Sequence, residues 1–157
     1  MSSTTTPDID ITVSRVVPAD PQVVWDLLTD VSRMSDLSPE NVESRWLDDQ
    51  RGVGARFKGR NKLSWLSWST VATVTAWEPG RTFAFEISPP SRSRWTYTLE
   101  AVPDGTLVTE SMAKDDPQPA PIRLLQRLAG VTDRTAVLRD GMTTTLERLE
   151  DAVRTSG

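Results

Sequence analysis

The chain has 157 residues, the length of one ordinary domain, and a chain of that size buries roughly 70% of its unfolded surface, enough to fold without staples. It contains no cysteine and no histidine, which excludes disulfides, thiolate metal sites, a thiol nucleophile, the Ser-His-Asp relay and imidazole acid/base catalysis. Its 18 Lys and Arg against 22 Asp and Glu leave a formal charge of -4, a balance that disfavours non-specific nucleic-acid binding.

Residues 1–8, with Ser2, Ser3 and three threonines before Pro7, read as a disordered tail. The tail has neither the basic nor the apolar region of a signal peptide. No apolar run approaches the ~20 residues that cross a bilayer. A cytoplasmic protein without stable membrane insertion is expected, with residues 9–157 forming a single domain.

Ile9 to Val17 alternates apolar and polar residues and is rich in β-branched ones, which predicts a half-buried strand. Pro18 stops it. Asp20 and Pro21 supply an N-cap and a first-turn proline, and Val24, Leu27, Leu28 and Val31 recur on one face of a short helix. A second short helix is expected from Asp30 to about Leu37, ending near Pro39. From Val42 the period changes to two. Strands are predicted at Val42–Leu47, Ala55–Leu63, Ser69–Trp77, Thr82–Ile87, Trp95–Val102 and Leu107–Ala113. Gly52 and Gly54, Glu78-Pro79-Gly80, Pro89-Pro90-Ser91 and Pro103-Asp104-Gly105 punctuate them as turns. Short turns between consecutive strands predict an antiparallel meander.

Asp115 to Pro121 carries three prolines and predicts irregular structure. The period then returns to 3.6. Ile122, Leu125, Ala129, Thr132, Ala136, Met142, Leu146, Leu149 and Val153 trace one stripe. A helix of about 30 residues is roughly 45 Å long, and Gly130 and Gly141 inside it mark places for a kink or close packing.

The order strand, two short helices, six strands, long C-terminal helix resembles the START-like helix-grip superfamily, in particular its polyketide cyclase/dehydrase-like (SRPBCC) branch. The resemblance is carried by Val17-Pro18-Ala19-Asp20-Pro21-Gln22-Val23-Val24-Trp25, Gly52-Val53-Gly54-Ala55-Arg56-Phe57 and Val74-Thr75-Ala76-Trp77-Glu78-Pro79-Gly80-Arg81. Trp95-Thr96-Tyr97-Thr98-Leu99 and Gly105-Thr106-Leu107-Val108-Thr109 continue it. It implies an α+β fold in which a curved antiparallel sheet of about seven strands grips the long helix. The branch hosts binding proteins, transfer proteins and cyclases, so it implies a fold more sharply than an activity.

A bent sheet around one helix closes its inner face only where large side chains fill it. Inward candidates are Phe57, Asn61, Phe83, Phe85, Trp95, Tyr97 and Leu99, with Met112 and Met142 nearby. Such a cavity, apolar with a few polar groups, is the usual form of a small-molecule site.

Among the six tryptophans, Trp25 and Trp77 read as core. Trp65 and Trp68 flank the expected hairpin turn between the third and fourth strands, where exposed indoles would cover a pocket mouth or meet a partner. Trp95, if buried, needs an acceptor for its indole N–H. Arg56, Lys58, Arg60 and Lys62 alternate along one strand and read as a solvated outer face opposite Phe57, Gly59, Asn61 and Leu63. On the last strand Val108, Glu110 and Met112 share a face. A carboxylate there is costly unless paired or protonated. Arg15 and Arg94 are its candidate partners. Asn61 is a candidate amide for a ligand carbonyl.

No spacing for a metal, nucleotide or phosphate site is found, and Gly52-Val53-Gly54 lacks the third glycine and following helix of a dinucleotide fingerprint. No cofactor is expected. Three functions remain open at this point. The first is a binding protein or carrier for a small apolar molecule such as a lipid, isoprenoid or polyketide-like aromatic. The second is a cyclase/dehydratase-like enzyme working by positioning, with Arg94, Tyr97, Glu110 and Asn61 as polar groups. The third is an interaction or regulatory module, as a homodimer or with another protein, through Trp65, Trp68 and the proline-rich segment.

Overall fold

The computed structural model describes residues 9–89, 92–114, 121, 124, 128 and 134–155. The expectations for the tail, the proline-rich segment and most of the first half of the long helix lie outside these residues.

Strand β1 (Ile9–Val17) is followed by helix α1 (Pro21–Thr29), a 3-10 turn (Val31–Arg33) and helix α2 (Met34–Leu37). Strands β2 (Asn41–Trp46), β3 (Arg56–Leu63), β4 (Leu66–Glu78), β5 (Thr82–Ile87), β6 (Ser93–Val102) and β7 (Gly105–Lys114) follow, and helix α3 (Arg134–Thr155) comes last. All seven strands form one curved antiparallel sheet in the order β1-β7-β6-β5-β4-β3-β2. Six strands run as the predicted meander, and β1 returns to pair with β7.

The predicted elements match the structure in kind and order, with boundary corrections. β4 begins at Leu66, not Ser69, so β3 and β4 meet across a two-residue turn in which Ser64 takes a positive φ of 57°. Trp68 therefore lies within a strand, opposite Asn61. At α1 the backbone of Asp20 is extended as an N-cap requires, but its side chain makes no capping bond. Pro21 supplies the first-turn signal instead.

Alternation places the core. Val24, Trp25 and Leu28 of α1 meet Phe57, Val74, Phe83, Tyr97, Leu99 and Val108 from the sheet and Leu146, Leu149 and Val153 from α3. Edge-to-face rings tie it together: Trp25 lies 5.0 Å from Trp77 and Phe57 lies 5.0 Å from Phe85. Such pairs each contribute about 1 kcal/mol beyond the area they bury. The third strand reads as expected, with Arg56, Lys58, Arg60 and Lys62 exposed and Phe57 and Gly59 buried.

One turn is sterically locked. Gly105 has φ +140°, and a Cβ there would stand 2.1 Å from the Val17 carbonyl oxygen. The next residue, Thr106, donates to the Ala19 carbonyl at 2.7 Å, pinning the start of β7 to the end of β1.

Candidate functional site

The sheet and α3 do not close on each other everywhere. Between them lies a cavity of about 160 Å³, walled by Phe57, Trp68, Phe85, Ile87, Trp95 and Tyr97 from the sheet. Leu28, Met34, Leu37 and Pro39 wall it from the short helices and the loop after them. From α3 come Leu138, Gly141, Met142 and Thr145, at i, i+3, i+4 and i+7, which is one helical face. Further along α3, Leu146, Leu149 and Val153 pack into the core instead. The helix thus changes task partway along its length. Gly141 leaves open space on the cavity side, since a Cβ there would meet nothing within 4 Å.

Two polar clusters interrupt the apolar wall. The first joins buried Asn41 and Ser44 to half-buried Asn61 and Thr70. Asn41 Nδ2 donates to Asn61 Oδ1 at 3.2 Å, Ser44 Oγ donates to Asn41 Oδ1 at 3.1 Å, and Asn61 Nδ2 donates to Thr70 Oγ1 at 3.2 Å. Gly59 makes room for this network, because a Cβ there would come within 3.4 Å of Asn41, Ser44 and Thr70 side chains.

The second cluster is a pair. Tyr97 on β6 and Glu110 on β7 are direct cross-strand neighbours, and the Tyr97 hydroxyl donates to Glu110 Oε2 at 2.8 Å. Glu110 is only 2% exposed, and its Oε1 has no hydrogen-bond partner among the described residues. Burial pushes its pKa up to about 8, with the Tyr97 hydrogen bond opposing that rise. Burial, then the neighbouring Glu110 charge, holds the Tyr97 phenol well above its ordinary range. At neutral pH the pair is uncharged, a buried acid that keeps its proton.

The structure gathers Phe57, Asn61, Trp68, Phe85, Trp95, Tyr97, Glu110 and Met142 around this cavity. Five other candidates lie elsewhere. Phe83 and Leu99 belong to the closed core, and Met112 packs with Ile11, Leu138 and Met142 behind the wall. Trp65 is 57% exposed at the tip of the β3–β4 turn and does not reach the cavity. Arg94 sits one residue out of phase with Trp95 and Tyr97, on the outer face of the sheet, where it lines a groove with Glu86 and Thr96. Neither expected arginine meets Glu110: Arg15 Nε donates to Glu150 Oε1 at 3.3 Å, and Tyr97 takes the partner's place. Trp95 finds its acceptor locally in Ser93 Oγ, at 3.0 Å.

Sequence reading missed the contributions of Leu138, Thr145, Asn41 and Ser44. The α3 residues were detectable from their spacing with Met142. The asparagine and serine were not, because β2 pairs irregularly with β3 between Asn41 and Glu43 and alternation fails there.

Residues 8–154 match the family described as Polyketide cyclase / dehydrase and lipid transport. The chain belongs to that family. Solved structures share this fold. The Thermus thermophilus protein TTHA0849 is similar at 16% identity with a TM-score of 0.72, covering 94% of this chain and 99% of its own. Protein MLL2253 from Mesorhizobium loti is similar at 19% identity and TM-score 0.68, over 94% of this chain and 98% of that one. The Polyketide_cyc-like protein Cgl2372 from Corynebacterium glutamicum is similar at 25% identity and TM-score 0.63, over 94% and 92%. Comparison with curated proteins gives no significant match. Among the described residues no helix is long and apolar enough to cross a membrane.

Proposed function

We propose that this protein holds a small, mostly apolar molecule in the cavity between the sheet and α3. The observation that carries the reading is the cavity itself, about 160 Å³ of space walled by aromatic and aliphatic side chains. An apolar cavity of roughly 150 Å³ is enough to take up benzene. Gly141 supports it. A glycine within a helix costs about 1 kcal/mol against alanine, and here it leaves space on the cavity side of α3. The family's description includes lipid transport, in keeping with an apolar guest.

Methionine methyl NMR tests the reading without knowledge of the natural ligand. Met34 and Met142 line the cavity, while Met112 lies behind its wall. With ¹³Cε-labelled methionine, titration with benzene is expected to shift Met34 and Met142 in a saturable way. Absence of any saturable shift at these two methyls would remove the reading.

A cyclase/dehydratase-like activity in the same cavity is favoured by one observation. Tyr97 and Glu110 form a neutral acid pair on the wall, suited to protonating or polarising a carbonyl. In that case the Tyr97→Phe/Glu110→Gln double variant loses turnover while retaining ligand; undiminished turnover would sink it.

A further inference from the structure

Resting on the ligand-holding reading, a narrower conclusion concerns which apolar molecules fit. A buried carboxyl normally spends all its hydrogen-bonding capacity within the protein, since each unpaired buried polar atom costs about 1–3 kcal/mol. Glu110 does not. Its Oε2 accepts from Tyr97, and its Oε1 has no partner among the described residues although the side chain lines the cavity. The polar groups at the other cluster are committed to one another.

Charge narrows the class further. Among the described residues, the ionisable side chains lining the cavity are Glu40, Tyr97 and Glu110, and no lysine or arginine is among them. On β1, the residue opposite Glu110 is Val13, and from α3 the lining neighbours are Met142 and Thr145. Two basic residues on adjoining elements are not among those lining the cavity: Arg15 engages Glu150, and Lys114 is buried four residues along β7 on the same face as Glu110. A guest bearing a carboxylate would therefore enter a cavity whose lining, among the described residues, has two acidic carboxyls and no cation, and an uncompensated buried anion is strongly disfavoured.

We infer that the cavity selects a neutral molecule carrying a carbonyl group, whose oxygen accepts a hydrogen bond from Glu110 Oε1, and that it rejects carboxylates such as free fatty acids. Tyr97 donates to one carboxyl oxygen and so leaves the carboxyl proton on the other. Binding supplies the partner that Oε1 lacks among the described residues.

Three probes of matched size test this in the methionine methyl assay: acetophenone, ethylbenzene and benzoate. At pH 7 acetophenone is expected to bind at least about fivefold more tightly than ethylbenzene, the worth of one hydrogen bond of about 1 kcal/mol. Benzoate is expected to bind on the order of a hundredfold more weakly than acetophenone. Because only the protonated pair donates, acetophenone affinity should fall about threefold from pH 7 to pH 9, toward the ethylbenzene value. In Glu110→Gln, which keeps a donor but does not titrate, that fall disappears. Ethylbenzene or benzoate binding as tightly as acetophenone would overturn the inference and leave the ligand-holding reading standing. Binding of none of the three would remove the reading beneath it.

Discussion

Tyr97 and Glu110 face each other across β6 and β7, and the phenol donates to one carboxyl oxygen at 2.8 Å while the other oxygen goes without a partner among the described residues. Most residues around them are apolar, so this pair is where the fold gives up stability. Its consequences are measurable separately from any ligand.

Removing the phenol should raise the Glu110 pKa above about 8, because the Tyr97 hydrogen bond is the influence that opposes burial. In Tyr97→Phe the carboxyl also loses its one partner among the described residues, at a cost of about 1–3 kcal/mol. A pH titration of the Glu110 side-chain carbon by NMR, with urea unfolding alongside, reads both effects. A Glu110 pKa unchanged or lowered in Tyr97→Phe contradicts the assignment.

The same raised pKa sets a pH dependence of stability. Unfolded, Glu110 ionises near its ordinary 4.5; folded, it holds its proton to about 8. Between those values the native state binds more protons than the unfolded state, so Glu110 lowers stability as pH rises. The slope is up to about 1.4 kcal/mol per pH unit, levelling off above pH 8. Glu110→Gln should flatten this component in urea unfolding series from pH 5 to 9. An equal slope in both proteins would mean that Glu110 titrates normally.

Replacing both members by apolar residues, Tyr97→Phe/Glu110→Leu, should raise stability by about 2 kcal/mol at neutral pH, since buried polar pairs are often exceeded by well-packed apolar ones. Thermal unfolding checks this. A less stable double variant would indicate that the pair is structural.

Two glycines should respond in opposite directions. Gly141→Ala should stabilise by about 1 kcal/mol, because its Cβ meets no atom within 4 Å and helix propensity improves. Gly105→Ala should destabilise by about 3 kcal/mol, because its Cβ would collide with the Val17 carbonyl at a φ of +140°. Urea unfolding of the two variants side by side provides the check.

The order of elements was legible because each type carries its own period. Alternation in β7 placed Glu110 beside Val108 and Met112, on the side that proves buried. What alternation could not tell was depth within that side. Phe83 and Phe85 are two residues apart on β5 and point the same way, yet only Phe85 reaches the cavity, while Phe83 lies among the rings of Trp25, Trp77 and Tyr97. Which part of an inner face is filled depends on where α1 and α3 cross it, a matter of tertiary packing. Arg94 illustrates a different limit. Its neighbours Trp95 and Tyr97 are cavity residues, but neighbours in a strand point to opposite faces. The Tyr97–Glu110 pairing depended on the register of β6 and β7, which turn length sets and local composition does not reveal.

The most direct test of a ligand-holding cavity is native mass spectrometry of the protein purified from its own host, beside Gly141→Ala and Gly141→Leu, with extraction of whatever is released. The account predicts a defined, neutral, apolar compound at near-stoichiometric amount on the native protein and on Gly141→Ala. Gly141→Leu, whose side chain fills the space beside Met142, should be folded and empty. A compound carried equally by Gly141→Leu, or one recovered as a carboxylate from all three, would contradict it.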